Sequence, residues 1–335
     1  MGKKIYKMIL SGLPLLVSII GFVFLFITCY NADAYSDERI ISVRADIISI
    51  SGILSGIIIA YLSSKVLQIR QEKINKLPDL KELTQKLHRF RKICHKLTHS
   101  NMWAPGMESL LGNTYEGLTY FDVNENKFVN SKISEQASQF IQDKTKSNTS
   151  YLYLQLKSFE SDIFFDETVY SEFEVPKYYS ITILEKWIKH ECGSGLYYYF
   201  DHEYSTYKNS LKLHEVIEEY QEDIIQACLY IDKERYQNQV FDNKLLAKLG
   251  TQVTTDILPR LLRLQLYIEQ PLPKIITYLY IVLLLLITFG VSLPILIKVY
   301  DLDIIFDIIS LSTILGTSIY LITSFYNLLR TEVDV

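Results

Sequence analysis

Four long apolar runs, two near each end of the chain, limit what this sequence can fold into more than any other feature. Three of them contain no charged side chain, at residues 8–30, 47–64 and 275–297, and the fourth, at 304–329, contains only Asp307. Each run is close to the roughly 20 residues that an α-helix needs to cross about 30 Å of hydrocarbon. We therefore predict four transmembrane helices, at about 8–30, 47–68, 275–299 and 304–328.

The charged residues indicate a three-part organisation. Most of them lie within about 69–272, and the chain as a whole is nearly balanced, with 34 Lys and Arg against 38 Asp and Glu. This uneven distribution excludes a soluble globular protein and a disordered polyampholyte. The predicted fold class is mostly α, with transmembrane hairpins at 1–68 and 273–335 flanking a mainly helical cytoplasmic domain at 69–272.

The orientation follows from the basic residues, because the cytoplasmic ends of spans are enriched in Lys and Arg. Thirteen basic residues flank the spans on one side, and only three flank them on the other, namely Arg39, Arg44 and Lys298. We therefore expect both termini and the central domain in the cytoplasm. The first run is longer than the roughly 7–15 apolar residues of a signal peptide, so we expect it to be a retained span.

Within the central domain the sequence predicts several helices. Pro78 followed by Asp79 is typical of a helix start, and apolar residues then recur at helical spacing to about His99. Helices are also expected at 132–142, 181–191, 211–236 and 242–270, the last one broken or kinked at Gly250 and Pro259. The segment 101–130 is expected to be a loop.

Catalytic motifs are not evident. The sequence has no P-loop, dinucleotide fingerprint, nucleophile elbow or H-E-x-x-H motif, so we do not expect an enzyme or a cofactor. The four cysteines have neither disulfide nor zinc spacing. Two weaker patterns remain. His95 and His99 share a helix face beside Cys94 and can in principle hold a metal. The second pattern is the acid–His–acid triplet at 201–203. We regard both as ordinary surface features and predict no metal site.

A cationic helix is the most informative feature of the central domain. Basic residues crowd into 86–99, and apolar residues interrupt them at helical spacing. Three interpretations stay open: a solvated face balanced by the acidic stretch 160–174, contact with anionic lipid headgroups, or binding of an anionic ligand such as a nucleotide or oligonucleotide. For the last, the candidate ligand-binding residues are Lys86, Arg89, Arg91, Lys92 and Lys96.

Polar residues also mark two of the spans. Span two carries a stripe of small residues that includes Gly52-x-x-x-Gly56, which permits close helix packing, either within the chain or between copies. On span four, six polar side chains fall within an arc of about 140° at ~100° per residue; these candidate pore-lining residues are Asp307, Ser310, Thr313, Thr317, Ser318 and Ser324. Helix packing, and a carboxylate placed near a helix N-terminus, explain the same pattern without a pore.

In plan, the chain resembles membrane-channel effectors of bacterial anti-phage defence, of the Hailong type, whose cytoplasmic domain binds a nucleotide or oligonucleotide. The resemblance rests on the four spans, the basic helix at 86–99 and the polar face at 307–324. It implies a homo-oligomer in the bacterial inner membrane, in contact with lipids and gated by a ligand that a partner nucleotidyltransferase makes. The alternative is a non-conducting membrane anchor whose helical domain recruits partner proteins.

Overall fold

The computed structural model describes residues 2–31, 37–125, 131–144, 149–160, 176–201 and 211–333. Across these residues the chain is built from helices, and they include no β-strand. The helices of the first two thirds are α1 (Gly2–Asn31), α2 (Asp37–Thr98), α3 (Met107–Ser109), α4 (Tyr120–Asn124), α5 (Ser131–Lys144), α6 (Thr149–Lys157), α7 (Ile181–Lys189) and α8 (Ser194–Phe200). Those of the last third are α9 (Glu218–Ile231), α10 (Lys233–Tyr236), α11 (Asn243–Gln252), α12 (Leu258–Glu269), α13 (Lys274–Ile287), α14 (Leu293–Tyr300) and α15 (Ile304–Val333).

The mostly helical fold class is confirmed, as is the presence of four apolar helices. The helical stretches long and apolar enough to cross a membrane are Pro14–Asn31, Ser42–Thr98, Asn243–Tyr300 and Ile304–Ser324. Each of them contains or overlaps one of the four runs that the sequence singles out, because about 20 residues without interrupting charge can shield the backbone of one helix from hydrocarbon.

Contacts divide the chain into two compact units. One comprises Met1–Glu72 together with Pro271–Val335, and the other comprises Lys73–Gln270. The first unit contains α1, the first part of α2 and α13–α15. The second contains the rest of α2 and all helices from α3 to α12.

Helix α2 departs most from the sequence prediction. We expected a helix start at Pro78, but α2 runs without interruption from Asp37 to Thr98 with Pro78 in its interior. Proline in a helix removes one backbone hydrogen bond and crowds the carbonyl four residues earlier, here that of Ile74. Both residues are exposed, so water can satisfy that carbonyl, and the helix continues.

Two other predicted elements are also divided differently in the structure. The single helix expected at 211–236 is three pieces: a 3₁₀ turn at Leu213–Glu215, then α9, then α10. Asp232 separates α9 from α10, because its extended backbone ends one helix while its side chain accepts a hydrogen bond from the Arg235 amide at 3.0 Å and caps the next. The segment expected to be a loop, 101–130, contains α3 and α4. The predicted helix at 132–142 is confirmed as α5.

Two prolines, Pro259 and Pro294, are accommodated by π-turns rather than by breaks. Helices α11 and α12 join through a π-turn at Val253–Ile257, just before Pro259, so the kink or break expected there is absorbed into one continuous stretch. Helices α13 and α14 join in the same way at Thr288–Ser292, before Pro294. A π-turn widens the helix locally, which makes room for a residue that cannot donate a backbone hydrogen bond.

The second unit has one large hydrophobic core around the last part of α2. Leu87, Phe90 and Leu97 of this helix are fully buried among apolar residues of the other helices. Helices α8 and α11 approach closely enough that a methyl group on Gly250 would lie 2.5 Å from the Gly193 carbonyl oxygen and 2.7 Å from Leu196 Cβ. Glycine is therefore required at position 250 by the backbone of the neighbouring helix.

The first unit packs through small residues and a few hydrogen bonds. Helix α1 lies against α15, where the Ser18 hydroxyl donates to the Gly316 carbonyl at 2.8 Å. Gly290, in the π-turn, touches α2 so closely that a methyl group there would lie 2.2 Å from Ser51 Oγ and 2.6 Å from Ile314 Cδ1. This close approach brings α2, α15 and the π-turn together around a small apolar cluster that includes Val282 and Leu286.

We expect Gly250→Ala to destabilise the second unit by about 1–3 kcal/mol, because the new methyl group overlaps a backbone oxygen that cannot easily move. Both tryptophans of the chain, Trp103 and Trp187, are buried in this unit, so their fluorescence follows its thermal unfolding. A loss of this size lowers Tm by about 2–4 °C per kcal/mol. Gly112→Ala is the matched control, because its methyl group meets no atom within 4 Å; equal Tm values for the two variants would contradict the packing described.

Candidate functional site

The single charge of the fourth span is neutralised inside the first unit. Asp307, in the first turn of α15, forms a two-pronged ion pair with Arg44 of α2, with Nε–Oδ1 at 2.9 Å and Nη2–Oδ2 at 2.6 Å. The side chains are only 17% and 12% exposed, for Arg44 and Asp307 respectively. Parallel bonds between a guanidinium and a carboxylate are among the strongest polar contacts in proteins. The pair fixes the register of α2 against α15.

The other polar residues predicted on the face of α15 mostly turn towards the protein's own backbone. Ser310 donates to the Phe289 carbonyl of the π-turn at 2.6 Å. Ser324 and the Tyr278 hydroxyl share a hydrogen bond of 2.5 Å. The remaining three donate to the carbonyl four residues earlier in α15, at 2.7–2.9 Å; these are Thr313, Thr317 and Ser318.

Burial divides this polar face. Ser310, Thr317 and Ser324 are buried, whereas Thr313 and Ser318 are half-buried. A hydroxyl that donates to a backbone carbonyl keeps its lone pairs, so the oxygens of Thr313 and Ser318 can still face water or a cation. The structure therefore leaves two of the six predicted residues partly accessible and places three in helix packing, with Asp307 in the ion pair.

The small-residue stripe of α2 has two distinct sides. Ser51 and Ser55 are buried, and their hydroxyls have no hydrogen-bond partner among the described residues. Gly52 and Gly56 lie on the other side, where an added methyl group meets nothing within 4 Å. The serines thus serve packing within the chain, and the two glycines form an open strip on the surface of the first unit.

A cleft in the second unit gathers three of the five predicted ligand-binding residues. Arg89, Lys92 and Lys96 of α2 line a cavity of about 560 Å³. Helix α9 forms the opposite wall with Tyr220, Asp223 and Tyr230, among others. We name this cavity the cationic cleft. Its volume lies within the range of small-molecule sites, about 300–1,000 Å³.

Helical geometry explains which residues reach the cleft. Arg89, Lys92 and Lys96 are spaced by three and four residues and so share one face of α2, whereas Arg91 lies about 200° round the helix from Arg89. Arg91 is only 1% exposed. Its Nε donates to the Phe159 carbonyl at 2.5 Å, and its guanidinium faces the rings of Tyr179 and Trp187. Arg91 therefore belongs to the core and not to the cleft.

Lys86 lies beside the cationic cleft. It pairs with Glu82 one turn earlier at 2.7 Å and lines a neighbouring cavity of about 500 Å³. That cavity also contains Arg89 and Tyr230, so the two cavities share part of one wall. A ligand longer than a mononucleotide can extend from one into the other.

The cleft combines positive charge with aromatic surfaces. Lys96 pairs with Asp223 at 2.5 Å, so one carboxylate offsets part of the charge of the three cations. Arg89 lies 4.7 Å from the centre of the Tyr230 ring, and that tyrosine is 71% exposed. Cations bind phosphate oxygens and aromatic rings stack with bases, at about 1–3 kcal/mol per base. The arrangement suits a phosphorylated ligand with a planar group.

The partners that complete each site are not evident from the sequence alone. Arg44 stands out there only as a flanking charge, although both it and Asp307 lie near the ends of spans predicted to face the same side. Nothing in the sequence singles out Tyr220, Asp223 and Tyr230, because only tertiary packing brings α9 against α2. The triplet at 201–203 lies mostly outside the described residues, which include only Asp201 of the three.

We expect Asp307→Asn to destabilise the first unit by about 1–3 kcal/mol, because it leaves the half-buried charge of Arg44 without its partner. Adding Arg44→Gln should restore most of the loss, since the double variant has no uncompensated charge. Far-UV circular dichroism during titration of detergent micelles with SDS measures the unfolding. Asp303→Asn, at an exposed position, is the control and should change stability by less than about 0.5 kcal/mol. Equal losses in the single and double variants would count against the coupling.

We expect Arg89→Glu with Lys92→Glu to weaken binding of a fluorescein-labelled tetradeoxyadenylate to the full chain by at least tenfold, because each charged contact contributes about 1.5–3 kcal/mol. Asp223→Asn should strengthen binding, since it releases Lys96. Fluorescence anisotropy at several salt concentrations measures both effects, and the slope against salt should fall in the double variant. Lys244→Glu, at an exposed position outside the cleft, is the charge-matched control. Equal affinity of the wild type and the double variant would exclude the cleft as the site.

No protein-family model matches this chain, and no curated protein or solved structure shows significant similarity to it. The ion pair, the α15 face and the cationic cleft are therefore the features that bear on function.

Proposed function

We propose that the chain is a membrane effector that forms an ion-conducting homo-oligomer, gated when its cytoplasmic domain binds an anionic ligand, a nucleotide or oligonucleotide. The proposal includes two transmembrane hairpins, α1 with α2 and α13–α14 with α15, in a bacterial inner membrane. Both termini and the second unit would face the cytoplasm. A partner enzyme would supply the ligand, and bacterial anti-phage defence would be the setting.

The cationic cleft carries this proposal. The described lining residues Arg89, Lys92, Lys96 and Asp223, with Tyr220 and Tyr230 on the facing helix, favour a ligand that has both phosphates and a planar ring. Ordinary solvated lysines do not require an aromatic wall opposite them.

Two features of the first unit support assembly and conduction. The open strip formed by Gly52 and Gly56 allows a second copy to approach α2 closely. The half-buried hydroxyls of Thr313 and Ser318 provide oxygen atoms that can line a water-filled path between copies. Asp307 would contribute less to ion selection than its sequence position predicts, because Arg44 neutralises it.

The alternative, a non-conducting anchor that recruits partner proteins, is favoured by one observation. Every predicted pore-lining hydroxyl of α15 already donates to a carbonyl of its own chain, as the donors Ser310 and Thr317 illustrate. Such bonds are also how serine and threonine pack between helices without any aqueous path. The two functions differ in one measurable property, the passage of ions.

Conduction can be tested by blocking the path chemically. We expect purified protein in planar bilayers to carry current when a short oligonucleotide is added, and a thiol-reactive methanethiosulfonate reagent to block that current in Ser318→Cys and Thr313→Cys variants. Ile322→Cys is the matched control, because Ile322 is 74% exposed and lies off the polar face. If the reagent leaves the current of Ile322→Cys unaffected, the block requires a cysteine on the polar face.

The native cysteines interfere little with this experiment. Burial raises the pKa of the Cys192 and Cys228 thiols to about 12, and burial together with the charge of Glu160 raises that of Cys94. Since the thiolate is the reactive form, only Cys29 needs to be replaced in the background. Absence of current with every ligand tried, or a monomer in detergent, would support the anchor and contradict the pore.

A further inference from the structure

We infer that His95, His99 and Glu160 bind a divalent transition-metal ion of the zinc class. The two histidines are four residues apart on α2, and Glu160 follows α6 in the same unit. One potential ligand atom from each of the three lies within 4.8 Å of the others. Two histidines and one carboxylate are a common zinc ligand set that leaves a fourth position open.

The helix brings the two imidazoles together. Residues four apart lie on the same face, one turn above the other, and the ring centres of His95 and His99 are 4.0 Å apart. Glu160 lies close to both, with Oε2 at 3.7 Å from His95 Nδ1. Nothing in the sequence spacing of Glu160 indicates this approach, because it depends on how the end of α6 folds back to α2.

The hydrogen bonds of His99 and Glu160 orient these two side chains. His99 Nδ1 lies 2.9 Å from the His95 carbonyl oxygen, which only accepts, so Nδ1 carries the proton and Nε2 keeps its lone pair. The Thr98 hydroxyl donates to Glu160 Oε1, and the second carboxylate oxygen, Oε2, is the one nearest His95. Metal-binding histidines and carboxylates are usually oriented by such bonds to a carbonyl or a hydroxyl.

Metal binding requires the three ligand atoms to move slightly closer together. With zinc–ligand bonds of about 2.0–2.1 Å, tetrahedral ligand atoms lie about 3.3 Å apart, which is closer than the present separation. His99 is exposed, so a rotation of its side chain can close the gap without disturbing the core. Cys94 takes no part, because its side chain is fully buried.

A simple ion pair between His95 and Glu160 is the competing explanation, and it predicts no affinity for metal. The inference is independent of the proposed function, since it concerns neither conduction nor an anionic ligand. Loss of zinc binding would leave the cleft and the pore to be judged by their own experiments.

The test uses the full chain, purified in detergent without a polyhistidine tag and treated with a chelator. Titration calorimetry with Zn²⁺ should show one ion per chain, and Co²⁺ should give the intense visible bands of a tetrahedral site. His95→Asn, His99→Asn and Glu160→Gln should each weaken Zn²⁺ binding at least tenfold. His214→Asn, which changes an exposed histidine elsewhere in the unit, should leave the affinity unchanged.

Further measurements separate ligation from folding. Thr98→Val keeps all three ligands and removes only the hydroxyl that orients Glu160, so it should weaken Zn²⁺ binding about 10–100-fold. Tryptophan fluorescence of the metal-free variants should give the wild-type Tm within a few degrees, and Zn²⁺ should raise Tm in the wild type but not in His99→Asn. Equal Zn²⁺ affinity in the wild type and in all three ligand variants would overturn the inference.

Discussion

The ion pair between Arg44 and Asp307 allows the first unit to contain a charge in its fourth apolar helix. A lone carboxylate in hydrocarbon costs several kcal/mol, and a guanidinium that binds both of its oxygens removes most of that cost. The same principle governs several other polar groups of this unit, which are satisfied within the protein. The Ser310 hydroxyl donates a hydrogen bond to a carbonyl of the π-turn, and the Ser324 and Tyr278 hydroxyls share one. A polar face on a span is therefore not sufficient evidence for an aqueous path.

Much of the fold was predictable because the responsible signals are local. About 20 uncharged residues define a span wherever they occur, and helical spacing of leucine and phenylalanine defined the buried face of α2. What could not be predicted depends on long-range packing. The partner of Asp307 lies 263 positions earlier, and the aromatic wall of the cationic cleft comes from α9. Nothing in the local sequence indicates which helix packs against α2 at that point.

Proline shows where local rules fail. At Pro78 and Pro259 the sequence alone favours a helix start or a break. The structure keeps the helix in both cases, at Pro259 through a π-turn. A carbonyl that loses its backbone donor can be satisfied from outside the helix, by water at an exposed position or by a hydroxyl such as that of Ser310, which donates to the Phe289 carbonyl. Whether a proline ends a helix thus depends on what surrounds the freed carbonyl, and the sequence near the proline does not contain that information.

The basic run at 86–99 shows how one helix separates residues that composition groups together. A step of about 100° per residue places Arg89, Lys92 and Lys96 towards the cleft, but Arg91 towards the core. The same steps bring His95 next to His99 and within reach of Glu160. His95 also lines the cationic cleft, so a metal ion held there would add positive charge beside Arg89 and Lys92. Charge density along the sequence shows that a helix carries many cations, and the angular position of each residue shows which of them reach the cleft.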